Sequence, residues 1–276
     1  MKKFSEGPFF SWIQGKERGV QAIVHLGART DTTEQDWAVF QELNLDYSKA
    51  LWRIATVHQI PFIYASSAAT YGDGSLGFDD DESRIHELAP LNPYGKSKQD
   101  FDLWVQEQDE KPFFWAGLKF FNVFGPNEYH KGRMASVVFH AWNQIMKTGE
   151  MKLFRSHRPD YADGMQLRDF VYVKDVANVM VWLLEERRQS GIFNLGTGKA
   201  RSFLDLVHAV FAAMKTTPRV RFIDIPEDIR EAYQYHTEAS MAKLVKAGYT
   251  HDFYSLEDAV VDYVQNHLFL DINPEN

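Results

Sequence analysis

The stretch Asn92-Pro-Tyr-Gly-Lys-Ser-Lys98 follows the run Tyr64-Ala-Ser-Ser-Ala-Ala-Thr-Tyr-Gly72 along the chain. Tyr94 and Lys98 are four residues apart, so a helix carries their side chains on one face. An ammonium group beside a phenol lowers the pKa of the phenol, and the phenolate can then accept a proton from an alcohol as a hydride leaves. The hydroxyl of Ser67 can share that proton. The pattern therefore predicts alcohol oxidation at these three side chains.

Strands and helices alternate on both sides of this stretch. Buried apolar runs predict strands, and apolar residues at helical spacing predict helices. We expect strands at residues 20–26, 61–65, 115–121, 170–173, 192–195 and 219–223, and helices at 37–58, 94–108, 135–146, 174–186, 203–214, 240–247 and 256–267. A strand–helix–strand order implies parallel crossovers, so the predicted fold class is α/β with a doubly wound parallel sheet.

Composition excludes several classes of protein. The 276 residues carry a formal net charge of −8, so neither nucleic acid nor an anionic membrane is expected as a partner. No apolar run approaches the roughly 20 residues of a membrane span. The chain has no Cys and no His-x-x-x-His spacing, so no metal site is predicted. These features together predict a cytoplasmic protein.

Four stretches of the chain resemble the extended short-chain dehydrogenase/reductases and, within them, the ADP-L-glycero-D-manno-heptose 6-epimerases. They are residues 25–34, 64–72, 120–136 and 168–176. The third is the most specific, because it contains the run His130-Lys-Gly-Arg-Met-Ala-Ser136. Tyr-x-x-x-Lys alone would indicate only the superfamily.

The resemblance implies a Rossmann sheet that lacks its first strands, with a smaller C-terminal α/β substrate domain. It places a truncated cofactor domain at residues 1–125, to which 169–198 return, and a substrate domain at 126–168 and 199–276. The implied reaction is NADP-dependent epimerisation at carbon 6 of ADP-D-glycero-D-manno-heptose, which supplies heptose for the lipopolysaccharide core. NAD is the alternative cofactor. The implied partners are a nucleotide sugar and, for an intact chain, further copies in a homo-oligomer.

The same resemblance assigns roles to individual residues. Tyr94, Lys98 and Ser67 are catalytic, and Lys131 is a second acid/base that serves the carbonyl intermediate after it has rotated. Cofactor contacts are implied for Leu26, Gly27, Ala28, Arg29, Thr30, Asn44, Tyr94, Lys98, Val123 and Lys131. Substrate contacts are implied for Ser67, Asn122, Arg133, His140, Phe154, Arg155, Ser156, His157, Arg168 and Tyr233. Arg133 departs from the family pattern, since some members carry a substrate-contacting Ser there.

One family feature does not occur in the sequence. Such enzymes hold the dinucleotide phosphates with a Gly-x-x-Gly-x-x-Gly turn, and the nearest candidate, Gly196-Thr-Gly198, has the position of a strand-end turn. We therefore expect cofactor binding to be weakened, and the chain is either an active enzyme or a truncated, inactive homologue. Another nucleotide-sugar 4-epimerase or a reductase is a further alternative. A dehydratase is excluded, because Ala68 and Ala69 stand where it needs an Asp-Glu pair.

Overall fold

The computed structural model describes residues 8–230 and 233–269. The chain divides into two compact units. Unit 1 draws its described residues from 8–120, 179–194 and 242–249, and unit 2 draws them from 121–178, 195–241 and 250–269, apart from 231 and 232. The assignment of one domain to the cofactor and the other to the substrate remains a prediction.

Ten strands occur among the described residues: β1 Ile23–His25, β2 Phe62–Ser67, β3 Trp115–Phe120, β4 Asn122–Phe124, β5 Met151–Phe154, β6 Leu167–Arg168, β7 Phe170–Tyr172, β8 Gly191–Leu195, β9 Arg201–Ser202 and β10 Val220–Ile223. Four of them form a sheet in the order β1-β2-β3-β8. Strand β2 pairs in parallel with β1 and with β3, and Phe62 lies opposite Ile23 on one side and Trp115 on the other. All of β2 is buried, as expected for the central strand of a parallel sheet. The predicted doubly wound α/β fold is confirmed.

The helices are α1 Pro8–Ile13, α2 Trp37–Phe40, α3 Tyr47–His58, α4 Pro93–Gln106, α5 Val137–Thr148, α6 Val173–Glu186, α7 Phe203–Ala213, α8 Glu227–Arg230, α9 Ala242–Lys246 and α10 Leu256–Tyr263. The helix predicted at 37–58 is helical throughout, but wider π-helical turns at Gln41–Asp46 separate α2 from α3. Short 3₁₀ segments include Ala68–Tyr71 and Tyr129–Met134.

Helix α4 begins at a strong local signal. Asn92 caps the helix by accepting a hydrogen bond from the Gly95 backbone N–H at 2.8 Å. Pro93 occupies the first turn, where its missing N–H costs nothing. Gly95 allows close packing, because a Cβ at this position would lie 2.7 Å from the carbonyl oxygen of Ala69. The first turn of α4 is therefore held against the segment that follows β2.

The core of unit 1 is built from aromatic rings around Trp52, which is 1% exposed. The rings of Phe62 and Trp115, from β2 and β3, meet it edge-on with centroids 5.6 and 5.5 Å away. Phe101, on α4, contacts the same indole at 6.4 Å. These contacts join α3 and α4 to one face of the sheet, and they fix the helix that carries Tyr94.

Unit 2 contains three two-stranded pairs: β5 with β10 and β4 with β7, both parallel, and β6 with β9, antiparallel. Its apolar core brings together α5, α7 and α10. Helix α7 starts with a reciprocal capping box, in which the Ser202 side chain accepts from the Asp205 N–H and the Asp205 side chain accepts from the Ser202 N–H. The strand ends of this unit carry most of the residues predicted to contact substrate.

Candidate active site

Ser67, Tyr94 and Lys98 come together in unit 1 as the sequence predicted. Ser67 is the last residue of β2, and its hydroxyl hydrogen-bonds the Tyr94 side chain and accepts from the Ala69 N–H at 3.1 Å. One turn further along α4, the Lys98 ammonium donates to the Ala65 carbonyl at 2.7 Å. Lys98 is 6% exposed, so its ammonium group is held by a carbonyl of β2 and has little contact with solvent.

The electrostatics differ from the sequence argument in one respect. Burial raises the pKa of Tyr94 above the usual phenol value, and the hydrogen bond from Ser67 opposes that shift. Lys98 was expected to lower this pKa, but the net direction is upward, with desolvation as the largest cause. Burial also lowers the pKa of Lys98 to about 8, with the carboxylate of Asp102 acting in the other direction. Burial thus shifts both groups toward their neutral forms, although a pKa of about 8 keeps Lys98 mostly protonated at neutral pH.

Asn44 connects the end of β1 to α4. Its side-chain oxygen accepts from the Arg29 N–H at 2.7 Å, and its amide donates to the Arg29 carbonyl at 3.0 Å. The same amide group donates to the hydroxyl of Ser97 at 2.9 Å, and Ser97 donates to the Tyr94 carbonyl at 2.7 Å. Asn44 was predicted as a cofactor contact. It is 2% exposed, and in this structure it holds the loop that follows β1 against α4, the helix that carries Tyr94.

A buried ion pair beneath this cluster was missed by the sequence reasoning. Asp102, one turn after Lys98 on α4, accepts from the Lys119 ammonium at 2.9 Å, and both side chains are fully buried. Ser66 donates to the same carboxylate at 2.7 Å, and Tyr64 donates to it at 3.0 Å. The pair therefore ties α4 to β2 and β3 behind Ser67. No spacing rule reveals it, because the partners lie on three different elements.

The carboxyl end of β1 fits a dinucleotide. Ligands bind at the carboxyl ends of strands in open α/β sheets. Leu26 is 44% exposed there, and a Cβ on Gly27 would meet nothing closer than 4.0 Å. Arg29 and Thr30 are exposed, and Ala28 is half-buried. An exposed apolar side chain beside open backbone can receive a flat ring and its ribose, so these residues fit the role predicted for them.

Gly196-Thr-Gly198 does not fit a phosphate site. The carboxylate of Asp169 accepts from the N–H and hydroxyl of Thr197, both at 2.7 Å, and from the Gly198 N–H at 2.9 Å. The Ala239 N–H donates to it as well, at 3.0 Å. A Cβ on Gly196 would lie 2.5 Å from this carboxylate. The turn is occupied by an internal anion, in agreement with its prediction as a strand-end turn.

Arg168 in unit 2 is a buried cation without an acidic partner. It is 8% exposed, and it donates to the carbonyls of Leu167 and Gln234 at 2.8 and 2.5 Å. Its guanidinium lies 5.4 Å from the ring centroid of Tyr233. Within residues 8–230 and 233–269 it makes no ion pair, and burial lowers its pKa. Asp163 and Asp169 form no ion pair with it; they accept from the backbone N–H groups of Ser156 and Thr197 instead.

The predicted sugar-binding segment Phe154–His157 follows β5 in the same unit. Phe154 meets the Tyr233 ring edge-on at 5.9 Å, and the His157 N–H donates to the Tyr235 hydroxyl at 2.9 Å. Arg155 is exposed, and Ser156 is held by Asp163 through its N–H at 2.8 Å. The structure thus brings this segment together with Tyr233, as the sequence expectation required.

Residues 158–164, which directly follow this segment, pack on it. Arg158 forms an ion pair with Asp160, and its guanidinium lies 5.1 Å from the ring centroid of Tyr235 and 5.6 Å from that of Tyr161. Tyr161 and Tyr235 also contact each other at 5.2 Å. Part of the loop is therefore fixed by ring contacts, although Arg158 itself is exposed.

The remaining predicted residues lie in unit 2. Lys131 and Arg133 are exposed on the 3₁₀ segment Tyr129–Met134, and the ring Nε2 of His140 lies 3.3 Å from the Arg133 carbonyl. Asn122 is exposed on β4, where its N–H donates to the Asp169 carbonyl at 3.0 Å, and the neighbouring Val123 is half-buried. Their contacts with cofactor or substrate remain predictions.

Comparison with known proteins identifies the family. The model of the NAD dependent epimerase/dehydratase family matches residues 13–196, about two thirds of the chain. The chain belongs to that family. The family is NAD dependent by description, so its members are enzymes that use a nicotinamide dinucleotide. The part of the chain that the structure describes contains no helix long and apolar enough to cross a membrane. In the same residues, no three His, Cys, Asp or Glu side chains cluster as metal ligands.

Individual relatives narrow the resemblance. The chain is 54% identical over 249 residues to an ADP-L-glycero-D-manno-heptose-6-epimerase of Nitratidesulfovibrio vulgaris, with 90% of this chain and 77% of the relative covered. A protein of the same name from Fusobacterium nucleatum is 49% identical over 267 residues, with 93% and 80% covered. The crystal structure of the Helicobacter pylori enzyme of that name has a TM-score of 0.77 at 29% identity, covering 94% of this chain and 76% of that one. The resemblance to the heptose 6-epimerases is confirmed.

Proposed function

We propose that the chain converts ADP-D-glycero-D-manno-heptose to ADP-L-glycero-D-manno-heptose by epimerisation at carbon 6, with NADP as the cofactor. The observation that carries the proposal is the cluster of Ser67, Tyr94 and Lys98, in a chain about half identical to proteins of that name. Cytoplasmic location and homo-oligomeric assembly are implied by the resemblance and remain predictions.

In this reaction, side chains of the protein would accept and donate the protons. A bound nicotinamide dinucleotide would supply the acceptor for the hydride from carbon 6 and return the same hydride to the opposite face. Tyr94, assisted by Ser67, would take the proton of the carbon 6 hydroxyl, leaving a ketone. After the ketone has rotated, its oxygen occupies a different place, so a second donor must protonate it. We assign that role to Lys131, whose side chain has no hydrogen-bond or ion-pair partner among the described residues.

Arg168 is proposed to bind the diphosphate of the substrate. A guanidinium presents paired N–H donors to phosphate oxygens. Arg168 already has both of its terminal nitrogens oriented by backbone carbonyls, and it lacks a carboxylate that would neutralise it. Burying a cation without an anion is costly, and a diphosphate would supply the missing charge. Phe154 and Tyr233 would then contact the attached sugar or nucleoside.

The test is incubation of the protein with ADP-D-glycero-D-manno-heptose and added NADP or NAD in deuterated water, followed by proton NMR. We expect both epimers to appear, with hydrogen retained at carbon 6, because a hydride is returned instead of a solvent proton. UDP-glucose serves as the control substrate and should stay unchanged. Deuterium at carbon 6 contradicts the hydride mechanism, conversion of UDP-glucose favours a 4-epimerase, and absence of turnover with either cofactor favours an inactive homologue.

A further inference from the structure

A buried carboxylate joins the two ends of the loop that carries Lys131. Glu128 is 4% exposed, and its two oxygens accept from the backbone N–H and the hydroxyl of Ser136, each at 2.6 Å. Ser136 is the N-cap of α5, so the carboxylate also lies at the positive end of that helix. Residues 129–135 therefore form a loop that is closed at its base.

Glu128 is in turn held by the core of unit 2. The hydroxyl of Tyr263, on α10, donates to the carboxylate at 2.9 Å. Tyr263 is completely buried, which fixes its ring. Charge-assisted hydrogen bonds of this kind are stronger than those between neutral groups. The base of the loop is thus attached to a helix that lies 135 residues away in the sequence.

The tip of the loop is much less enclosed. Residues 129–133 are exposed, and Gly132 has φ 54° and ψ −127°, a backbone conformation that favours glycine. The Lys131 N–H donates to the Glu128 carbonyl at 3.0 Å, so Lys131 is within one turn of the anchored residue. This hydrogen bond connects the backbone of Lys131 to that of Glu128.

We infer that Glu128, held by Tyr263, is a positioning residue that sets the location of Lys131 by closing its loop. The inference rests on the proposed function, in which Lys131 is the second acid/base. Glu128 touches neither substrate nor reacting atoms in this scheme. It acts through the loop, so its loss should lower turnover while leaving the affinity for the nucleotide sugar unchanged.

Tyr263→Phe is the informative variant, because it removes one hydrogen bond from Glu128 and keeps the packed ring. The matched control is Tyr172→Phe. Tyr172 is 1% exposed in the same unit, and its hydroxyl also donates to a carboxylate, Asp262, at 2.6 Å. Both variants therefore lose a hydrogen bond from a buried tyrosine to a carboxylate, and only one of those bonds reaches the Lys131 loop.

Amide hydrogen exchange tests the anchoring without requiring turnover. In Tyr263→Phe we expect the amides of residues 129–135 to exchange about tenfold faster, since local opening becomes easier. In Tyr172→Phe those amides should exchange at the unmutated rate. Equal exchange in all three proteins, or equal acceleration in both variants, overturns the inference.

A double-mutant cycle tests the connection to Lys131. Tyr263→Phe should lower the epimerisation rate about tenfold, the size expected from losing one hydrogen bond to a charged group, and should leave KM unchanged. In a Lys131→Met background it should have no further effect, because the two residues act in one step. An equal fall in both backgrounds means that Tyr263 acts elsewhere and contradicts the inference. If the Lys131→Met protein epimerises at the unmutated rate, the two-base proposal is wrong, and the inference that rests on it is wrong as well.

Discussion

Burial acts in the same sense on the two residues that give the unit 1 cluster its chemistry. It raises the pKa of Tyr94 and lowers the pKa of Lys98 to about 8, so in each group burial shifts the equilibrium toward the uncharged form. Ser67 is the neighbour that favours the phenolate of Tyr94. In the proposed mechanism, proton transfer at this cluster depends on the hydrogen bond between Ser67 and Tyr94, so we expect single substitutions to have large and unequal effects.

Tyr94→Phe and Lys131→Met should each lower epimerisation by at least two orders of magnitude, because general acid–base groups contribute about 10²–10⁴-fold. Ser67→Ala should have a smaller effect than Tyr94→Phe, since Ser67 only assists. The measurement is the initial rate of epimer formation at saturating substrate. Lys152→Met is the control, because Lys152 is exposed on β5 and has no assigned role.

The clearest contradiction would come from a Lys131→Met protein that keeps nearly the full rate. In that case Tyr94 alone, with a mobile sugar, would account for both proton transfers. A Ser67→Ala protein as slow as Tyr94→Phe would instead make Ser67 an obligatory donor. Titration calorimetry with the nucleotide sugar measures the substrate affinity of each variant. An unchanged affinity shows that the variant has lost chemistry and not binding.

At the scale of elements, the contact between α4 and the 3₁₀ segment Ala68–Tyr71, which follows β2, leaves no room for a side chain at Gly95. Gly95→Ala should destabilise the protein by about 1–3 kcal/mol, although alanine favours helices, because the added Cβ must displace the backbone at Ala69. Gly19→Ala is the control, since a Cβ there meets no atom within 4 Å. Urea unfolding of both variants measures the difference. Equal stability of the two would show that α4 can shift freely.

Helix α6 carries a carboxylate that opposes folding above mildly acid pH. Burial of Asp175 in the first turn raises its pKa to about 6, despite a hydrogen bond from the Tyr254 N–H at 3.0 Å. The folded pKa is above the unfolded one, so the unfolded chain releases its proton first as the pH rises. The contribution of Asp175 to stability should therefore fall by roughly 3 kcal/mol between about pH 4 and 6.

Asp175→Asn tests this assignment, because the amide oxygen can still accept from Tyr254 but does not titrate. The free energy of unfolding of the unmutated protein and the variant should converge near pH 4, and the variant should be the more stable at pH 7. Chemical denaturation at several pH values gives both curves. An unchanged difference between the two proteins across this range would assign the pH dependence to other groups.

At the scale of the whole molecule, each compact unit has its own apolar core, and Trp52 is at the centre of the one in unit 1. Trp52→Ala should cost about 3–5 kcal/mol of stability. Trp52→Phe should cost less than about 1.5 kcal/mol, because a ring remains and the indole N–H, which is buried without a partner among the described residues, is removed. Urea denaturation distinguishes the two, and equal losses would show that the N–H is satisfied in solution.

The sheet of unit 1 could be predicted because its strands contain short apolar runs, such as residues 62–65 of Phe62–Ser67, whose length is typical of buried strands. The Tyr94–Lys98 pair was visible for the same local reason, since four residues make one helical turn. Glu128 and Tyr263, by contrast, meet only after the chain has folded. The Asp102–Lys119 pair likewise joins elements whose approach no sequence period encodes.

The irregular elements also could not be predicted from the spacing of apolar residues. The π-helical turns at Gln41–Asp46 interrupt a run whose apolar spacing suggests one uniform helix, and Asn44 lies within them. Such turns occur often at functional sites, where they redirect a side chain. The two-residue strands β6 and β9 are too short to show any alternation. In both cases tertiary hydrogen bonds decide the local conformation.

The close approach at Gly95 has a consequence for recognising related genes. A sequence search with the four-residue spacing of tyrosine and lysine allows any residue after the tyrosine. Such a search therefore also matches unrelated proteins. Where the helix start touches the backbone that follows the strand, as it does here, only glycine fits at that position without displacing a neighbour. Tyr-Gly-x-x-Lys is then a stricter search pattern than Tyr-x-x-x-Lys, and a bulky residue in second place marks a homologue whose helix stands further from its strand.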